Sequence, residues 1–261
     1  MLVRPLEAPW EFRRLEELQG EIWGLPEREV VPYHQFIAAA KAGGVVLGAF
    51  DGESLVGFSY AFPAWQGGRA YLWSHMTGVL PQYQGRGWGP LLKWEQRRQA
   101  LARGYNLIRW TFDPLQAHNA YFNLHKLGAV VTAYLPDCYG EMGDRVNRGL
   151  PSDRLVADWY LDSPWVKVRC GEEEGEEAAW WPGARRVVVP ERIGELKGSD
   201  PEAAHKERLR VRWELSELLG AGYVACGFAQ GAYLLVAAPV QEIINTRARQ
   251  VLDEGVRGEG G

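Results

Sequence analysis

The stretch that most restricts how this chain can fold is Gln84 to Pro90, Gln-Gly-Arg-Gly-Trp-Gly-Pro. It joins a run of strand formers, Tyr71 to Leu80, to a run of helix formers, Leu91 to Arg103, that stops at Gly104. Three glycines alternating at a strand-to-helix junction let the backbone N–H groups meet a ligand with no Cβ in the way. The following helix adds the positive end of its dipole, and Pro90 suits the first helical turn, where a missing N–H costs nothing. The stretch therefore reads as a pyrophosphate cradle. A dinucleotide fingerprint starting at Gly85 would need glycine where Pro90 stands, and a phosphate loop ending Gly-Lys-Ser/Thr is absent from the sequence.

The remaining chain builds around that junction. Leu2 to Arg4 reads as a strand, Trp10 to Trp23 as an amphipathic helix with Phe12, Leu15, Leu18 and Ile22 on one face, and Tyr33 to Lys41 as a second helix. Val45 to Phe50 and Leu55 to Phe62 flank Asp51-Gly52, a hairpin signal, and Ala70 to Leu80 leads into the glycine loop. Asn106 to Phe112 is the next strand, Gln116 to Leu127 a helix stopped by Gly128, and Ala129 to Tyr134 and Arg154 to Leu161 two more strands. The order is βααβββαβαββ. After Leu161 the composition shifts, with five glutamates among Gly171 to Glu177, so the reading divides the chain into residues 1–162 and an extension, 163–261. The extension reads as a small βαββ unit: strand Arg185 to Val189, helix Pro201 to Leu219, and a hairpin, Tyr223 to Phe228 with Ala232 to Ala238, turning at Gln230-Gly231. Such a unit buries little surface alone and is expected to pack on the first domain or a partner subunit, and a homodimer is one arrangement that would serve. The tail from Gly255 is expected to be disordered.

At 46% hydrophobic residues the 261-residue chain can fill a core. A formal charge of −4 argues against a protein built to hold nucleic acid or an anionic membrane. Cys138, Cys170 and Cys226 form no C-x-x-C pair, so neither a zinc site nor a disulfide framework is indicated. With no basic-then-apolar leader and no apolar run near the length of a bilayer, the expectation is a soluble, cytoplasmic protein.

Gln84-x-x-Gly87-x-Gly89 after a strand resembles the (Gln/Arg)-x-x-Gly-x-(Gly/Ala) acyl-CoA signature of the GNAT N-acyltransferase superfamily. Val79-x-Pro81 is similar to the family's approach to that loop, and the ending Lys126-Leu127-Gly128 to its helix before the sixth strand. The likeness covers about the first 160 residues. Phe112-Asp113-Pro114-Leu115-Gln116, Asn119-Ala120-x-Phe122-Asn123 and Gly149-Leu150-Pro151-Ser152-Asp153-Arg154 resemble a bacterial subfamily with a C-terminal extension. The resemblance implies an α/β (α+β) fold with a mixed, mostly antiparallel central sheet flanked by helices. That sheet would splay between its fourth and fifth strands to admit the pantetheine of acetyl-CoA or another acyl-CoA. It implies an N-acetyltransferase acting by direct attack of a small-molecule or peptide amine, without a metal. The cofactor residues it implies are Val79, Gln84, Gly85, Arg86, Gly87, Trp88, Gly89 and Asn119.

Acyl transfer needs an oxyanion donor, a base and a proton for the thiolate. Backbone N–H groups near Gly78 to Leu80 answer the first. His75 is the leading base, with His34, Tyr139 and Asp137 as further candidates, although strand alternation leaves open which face His75 takes. The tyrosine that the family commonly uses as acid stands four residues before the helix-ending glycine, and here that position is Leu124. Tyr121 is one turn earlier and reaches the same sulfur only if the helix is rotated, and His125 points to another face. Among Arg86, Lys93, Arg97 and Arg98, Arg86 is the preferred phosphate contact, with a solvated helix face as the alternative for Lys93 and Arg98. Trp65, Trp73, Trp88 and Trp110 cluster around the cleft in sequence, mostly as core. Without its usual acid, the chain also fits a non-catalytic acyl-CoA sensor or assembly module, and a hydroxyl acceptor is a third alternative.

Overall fold

A computed structural model describes residues 1–144, 148–178 and 183–250. It divides into two compact units, one of Met1–Thr111 with Tyr139–Ser152, the other of Phe112–Cys138 with the chain from Asp153 onward.

The first unit begins with β1 (Leu2–Pro5) and α1 (Pro9–Trp23). The helix starts where the Glu11 carboxylate accepts the N–H groups of Glu7 and Ala8 at 2.8 and 3.0 Å, and Arg4 pairs with the same carboxylate. It buries Phe12, Leu15, Leu18 and Ile22 and ends at Gly24, whose φ of 70° closes the last turn. Next come α2 (Tyr33–Lys41), β2 (Val45–Asp51), β3 (Ser54–Gln66), β4 (Arg69–Val79), α3 (Trp88–Ala102) and β5 (Leu107–Phe112). The strands lie in the order β1-β2-β3-β4-β5, antiparallel up to β4 and parallel between β4 and β5. Alternation along β3 assigns the faces. Phe58 and Tyr60 meet Phe36 of α2, with Trp23 of α1 also against Phe58, while Ser59 bonds to Gln96 of α3. The two N-terminal helices thus cover one side and α3 the other. Gly78 is where Trp23 crosses β4: a Cβ there would lie 2.5 Å from the indole, so only glycine permits that packing.

In the second unit, α4 (Ala117–Ala120) leads to β6 (Val130–Leu135), β7 (Arg154–Tyr160), α5 (Pro164–Cys170), β8 (Glu176–Ala178), β9 (Arg185–Val188), α6 (Ile193–Ser199), α7 (Pro201–Gly220), β10 (Val224–Ala229), β11 (Ala232–Val236), α8 (Val240–Ile244) and β12 (Ala248–Gln250). The main strands run β7-β6-β10-β11-β9, all antiparallel, and β8 pairs with β12 in parallel. The β10–β11 hairpin turns at Gln230-Gly231 as expected, with φ of 49° and 69°, the left-handed pair of a type I′ turn. Trp159 is fully buried and donates its indole N–H to the Leu127 carbonyl at 2.8 Å. Five elements go beyond the sequence reading: α5, α6, α8 and the short β8 and β12.

Two ion pairs set α7 into this unit. Arg208, 1% exposed, meets Asp113 at 2.8 Å, and Arg212 grips the fully buried carboxylate of Asp153 at 2.6 and 2.8 Å. Tyr233 of β11 donates to the Pro114 carbonyl at 2.8 Å. The turn Asp113-Pro114, which ends β5, is thus held by residues roughly 100 positions away in the chain. The expected helix from Gln116 to Leu127 is α-helical only through Ala120; Tyr121–Lys126 forms a π turn, in which Leu127 N–H reaches back to Phe122 O at 3.0 Å. The stretch from Gly255 lies outside the described residues.

Candidate active site

The pairing of β4 with β5 is brief. Leu72 faces Ile108 and Trp73 faces Arg109, and beyond them the two strands share no further register among the described residues. From Ser74 onward the β5-side edge of β4 is therefore open, as the resemblance implies. Leu80 N–H donates to Val56 O of β3 at 2.9 Å. Since backbone groups alternate sides along a strand, the N–H of Val79 points to the opposite, open edge, as does that of Thr77. Of the N–H groups expected between Gly78 and Leu80, Val79 is the one so turned. Its carbonyl accepts the Gln84 side-chain N–H at 3.0 Å, which folds the start of the glycine loop back onto the strand end.

The loop then enters α3. Gly85 and Gly87 have φ of 73° and 86°, the left-handed region that glycine occupies without strain, and Gly87 is the N-cap. A Cβ on Gly85, Gly87 or Gly89 would meet nothing within 4 Å, so the face they present is free to take a ligand. The Trp88 side chain is 3% exposed and belongs to the core against Tyr83, which leaves only its backbone for binding. Arg86 is exposed, with its guanidinium 5.5 Å over the Tyr83 ring. The other three basic residues of this region are engaged elsewhere: Arg98 pairs with Glu95 at 2.7 Å, and Lys93 and Arg97 are buried. The solvated face proposed for Lys93 is thus replaced by a packed one, because α3 turns Lys93, Gln96, Arg97 and Ala100 toward the sheet.

His75 is settled by an irregularity that alternation does not anticipate. Tyr60 pairs with Met76 and Ala61 with Ser74, so His75 is the extra residue of a β-bulge. The bulge aims the imidazole to the α1/α2 side, 5.9 Å from the Tyr60 ring and 6.1 Å from Phe62. One edge reaches solvent, which limits the shift, but burial of the rest lowers its pKa below the ordinary 6.5. On the same unit His34 is exposed beside Tyr33, and Tyr139 shares a 2.9 Å hydrogen bond with Thr111 of β5. Trp110 is buried and Trp65 is 71% exposed, so the sequence cluster of tryptophans does not form one group.

In the second unit Asn119 is exposed on α4. Tyr121 opens the π turn, stacked on His125 at 4.7 Å, with the Lys126 ammonium 5.4 Å over its ring. Leu124 is fully buried. Burial, with Lys126 and Arg169 nearby, lowers His125 to about 4, which keeps it neutral. Asp137, expected as a candidate base, uses its N–H to bond Asp153 and sits at φ 44°. No cluster of metal-ligating side chains occurs among the described residues.

A strand whose edge opens before a glycine loop at a helix N-terminus is a site for a ligand with an extended arm and an anionic group. Residues 9–128, a little under half of the chain, match the model of the acetyltransferase (GNAT) family. Among solved structures, a putative acetyltransferase from Salmonella typhimurium, determined with its cofactor acetyl-CoA, is similar over 62% of this chain and 94% of its own, at 19% identity and a TM-score of 0.50. An aminoglycoside 6'-acetyltransferase of type Ii matches 62% of this chain and 97% of its own at 18% identity, TM-score 0.49. No curated protein matches. The mixed, mostly antiparallel strands flanked by helices are the GNAT fold.

Proposed function

We propose that this protein is an N-acetyltransferase that moves an acetyl group from acetyl-CoA to an amine by direct attack, with residues 1–162 as its catalytic domain and 163–261 as an appended βαββ extension. The observation that carries this is the open edge of β4 running straight into an unobstructed glycine cradle at the start of α3. Backbone N–H groups of Gly85, Gly87, Trp88 and Gly89 receive the pyrophosphate, with Arg86 as its charged contact. Gln84 holds the loop against Val79, and the Val79 N–H polarises the thioester carbonyl; one such donor is worth about 10²-fold to 10³-fold in rate. His75, neutral at pH 7, takes the proton of the attacking amine. Asn119 and Tyr121 enter this reading on the family resemblance alone, as a cofactor contact and a candidate acid. No helix among the described residues is long and apolar enough to cross a membrane.

Calorimetry with CoA and acetyl-CoA tests the shared premise, since absence of binding at millimolar ligand overturns it. Thiol release from acetyl-CoA across a panel of amines then tests transfer. The full burial of an aliphatic side chain at Leu124, where relatives place their acid, favours a second reading as an acyl-CoA sensor. Binding without release by any amine would select it.

A further inference from the structure

Lys93 lies on the buried face of α3, 3% exposed, and its ammonium stands where β4 and β5 part. Nζ is 3.4 Å from Ser74 Oγ, on the first β4 residue past the last paired position, and 4.0 Å from the centre of the Trp110 ring, on the corresponding residue of β5. Gln96 Oε1 accepts from it at 2.6 Å, while the Gln96 amide donates to Ser59 at 2.7 Å and Ser74 at 3.2 Å, and Ser59 bonds Thr77 at 2.9 Å. This polar chain runs beneath the same β4 residues whose edge is open.

We propose that Lys93 is the proton donor to the departing CoA thiolate, in place of the side chain absent at Leu124. This rests on the acetyl-CoA reading above, in which the acyl arm enters the opening between β4 and β5. As the amine nitrogen bonds to the carbonyl carbon and the C–S bond breaks, the electron pair leaves on sulfur. Lys93 Nζ gives that sulfur a proton, the amine's surplus proton passes to His75, and solvent restores Lys93.

Burial favours the neutral amine and lowers Lys93 to about 7, so it is a stronger acid than an exposed lysine and is recharged near neutral pH. The groups facing it are uncharged on β3 and β4, namely Ser59, Ser74 and Thr77. On its own helix Gln96 is neutral, and Arg97, one turn on, is the cation sharing the buried face. From β5 it meets the Trp110 ring, while Arg109 turns instead to Tyr71.

The test needs no acceptor. CoA itself is bound to the full chain and its thiol titrated by ultraviolet thiolate absorbance, in wild type, Lys93→Met and Lys93→Arg. An ammonium within a few ångströms lowers a bound thiol's pKa by about 1–3 units while it is charged. Because Lys93 itself loses its proton near 7, the two groups titrate together, and part of the thiolate absorbance should appear near neutral pH in the wild type. Lys93→Met should abolish that shifted part while binding CoA as before, and Lys93→Arg, which stays charged throughout, should shift the whole titration down. An unshifted thiol in the wild type, or the same shift in Lys93→Met, overturns the inference and leaves the acyl-CoA reading intact. If the wild type binds no CoA, that reading falls and the inference with it. Should Lys93→Met fail to fold, Lys93→Gln serves as the neutral variant.

Discussion

Gly89 separates a ligand effect from a folding effect, because its backbone needs no left-handed φ and an added Cβ meets nothing within 4 Å. Gly89→Val should leave the melting temperature nearly unchanged, since valine in a helix costs no more than glycine. The same change should weaken acetyl-CoA binding about tenfold, or 1.4 kcal/mol, by calorimetry, as the branched side chain, larger than the alanine the signature admits here, meets the phosphates. Gly87→Val adds strain at φ 86° and should lose both stability and affinity. Full affinity in both variants would show that no phosphate sits there. For His75, the base works unprotonated, so turnover should rise with pH through a pKa below 6.5. His75→Ala should remove that limb and lower kcat/KM about 10²-fold or more; an unchanged profile makes the residue structural. Gly85 and Gly87 were legible in the sequence because the left-handed φ of such a loop favours glycine. The state of Lys93 was not, since polar Lys93, Gln96 and Arg97 all face the sheet, and periodicity assigns such positions to solvent.

At the scale of elements, the turn leaving β5 is secured by side chains from far along the sequence. Asp113→Ala would strand the Arg208 guanidinium, two of whose nitrogens already have no partner, in a site 1% exposed. The expected cost is about 3–5 kcal/mol in urea unfolding. The double change to Asp113→Leu with Arg208→Met should cost clearly less than the sum of the single ones, because no uncompensated charge remains. In the π turn, burial together with the cations Lys126 and Arg169 holds His125 near 4, below its unfolded value of about 6.5. The unfolded chain therefore binds the extra proton between those values, and stability falls as pH drops from 6.5 to 4. Allowing for partial exposure, the loss is about 1–2 kcal/mol, and His125→Asn should flatten that slope. Some of these elements had signals in the chain. Ser163-Pro164 is an N-cap followed by proline, and α5 begins there with the Ser163 hydroxyl accepting Val166 N–H. The π turn had none, because one added residue per turn leaves the apolar spacing nearly unchanged.

For the whole molecule, the extension is woven into the second compact unit by strand and by charge. β10 lies beside β6 at Ala225 and Val131, both fully buried, and α7 supplies the cations for Asp113 and Asp153. Ending the chain after residue 162 would expose that strand edge and leave two buried carboxylates without their arginines. At about 3–5 kcal/mol for each broken pair, the loss rivals the 5–15 kcal/mol that holds a typical domain. The truncated protein should be insoluble or molten, and a soluble 1–162 fragment with a cooperative transition and CoA binding would refute this. The glycine loop, the hairpins and the order of strands and helices through β7 were all determined by the sequence, because glycine placement, turn chemistry and apolar period act over a few residues. The bulge that aims His75, the burial of Lys93 at the parting of β4 and β5, and the pairing of Arg208 with Asp113 were decided only by the tertiary structure. Each depends on which distant segment supplies the neighbour, and local spacing carries no information about that.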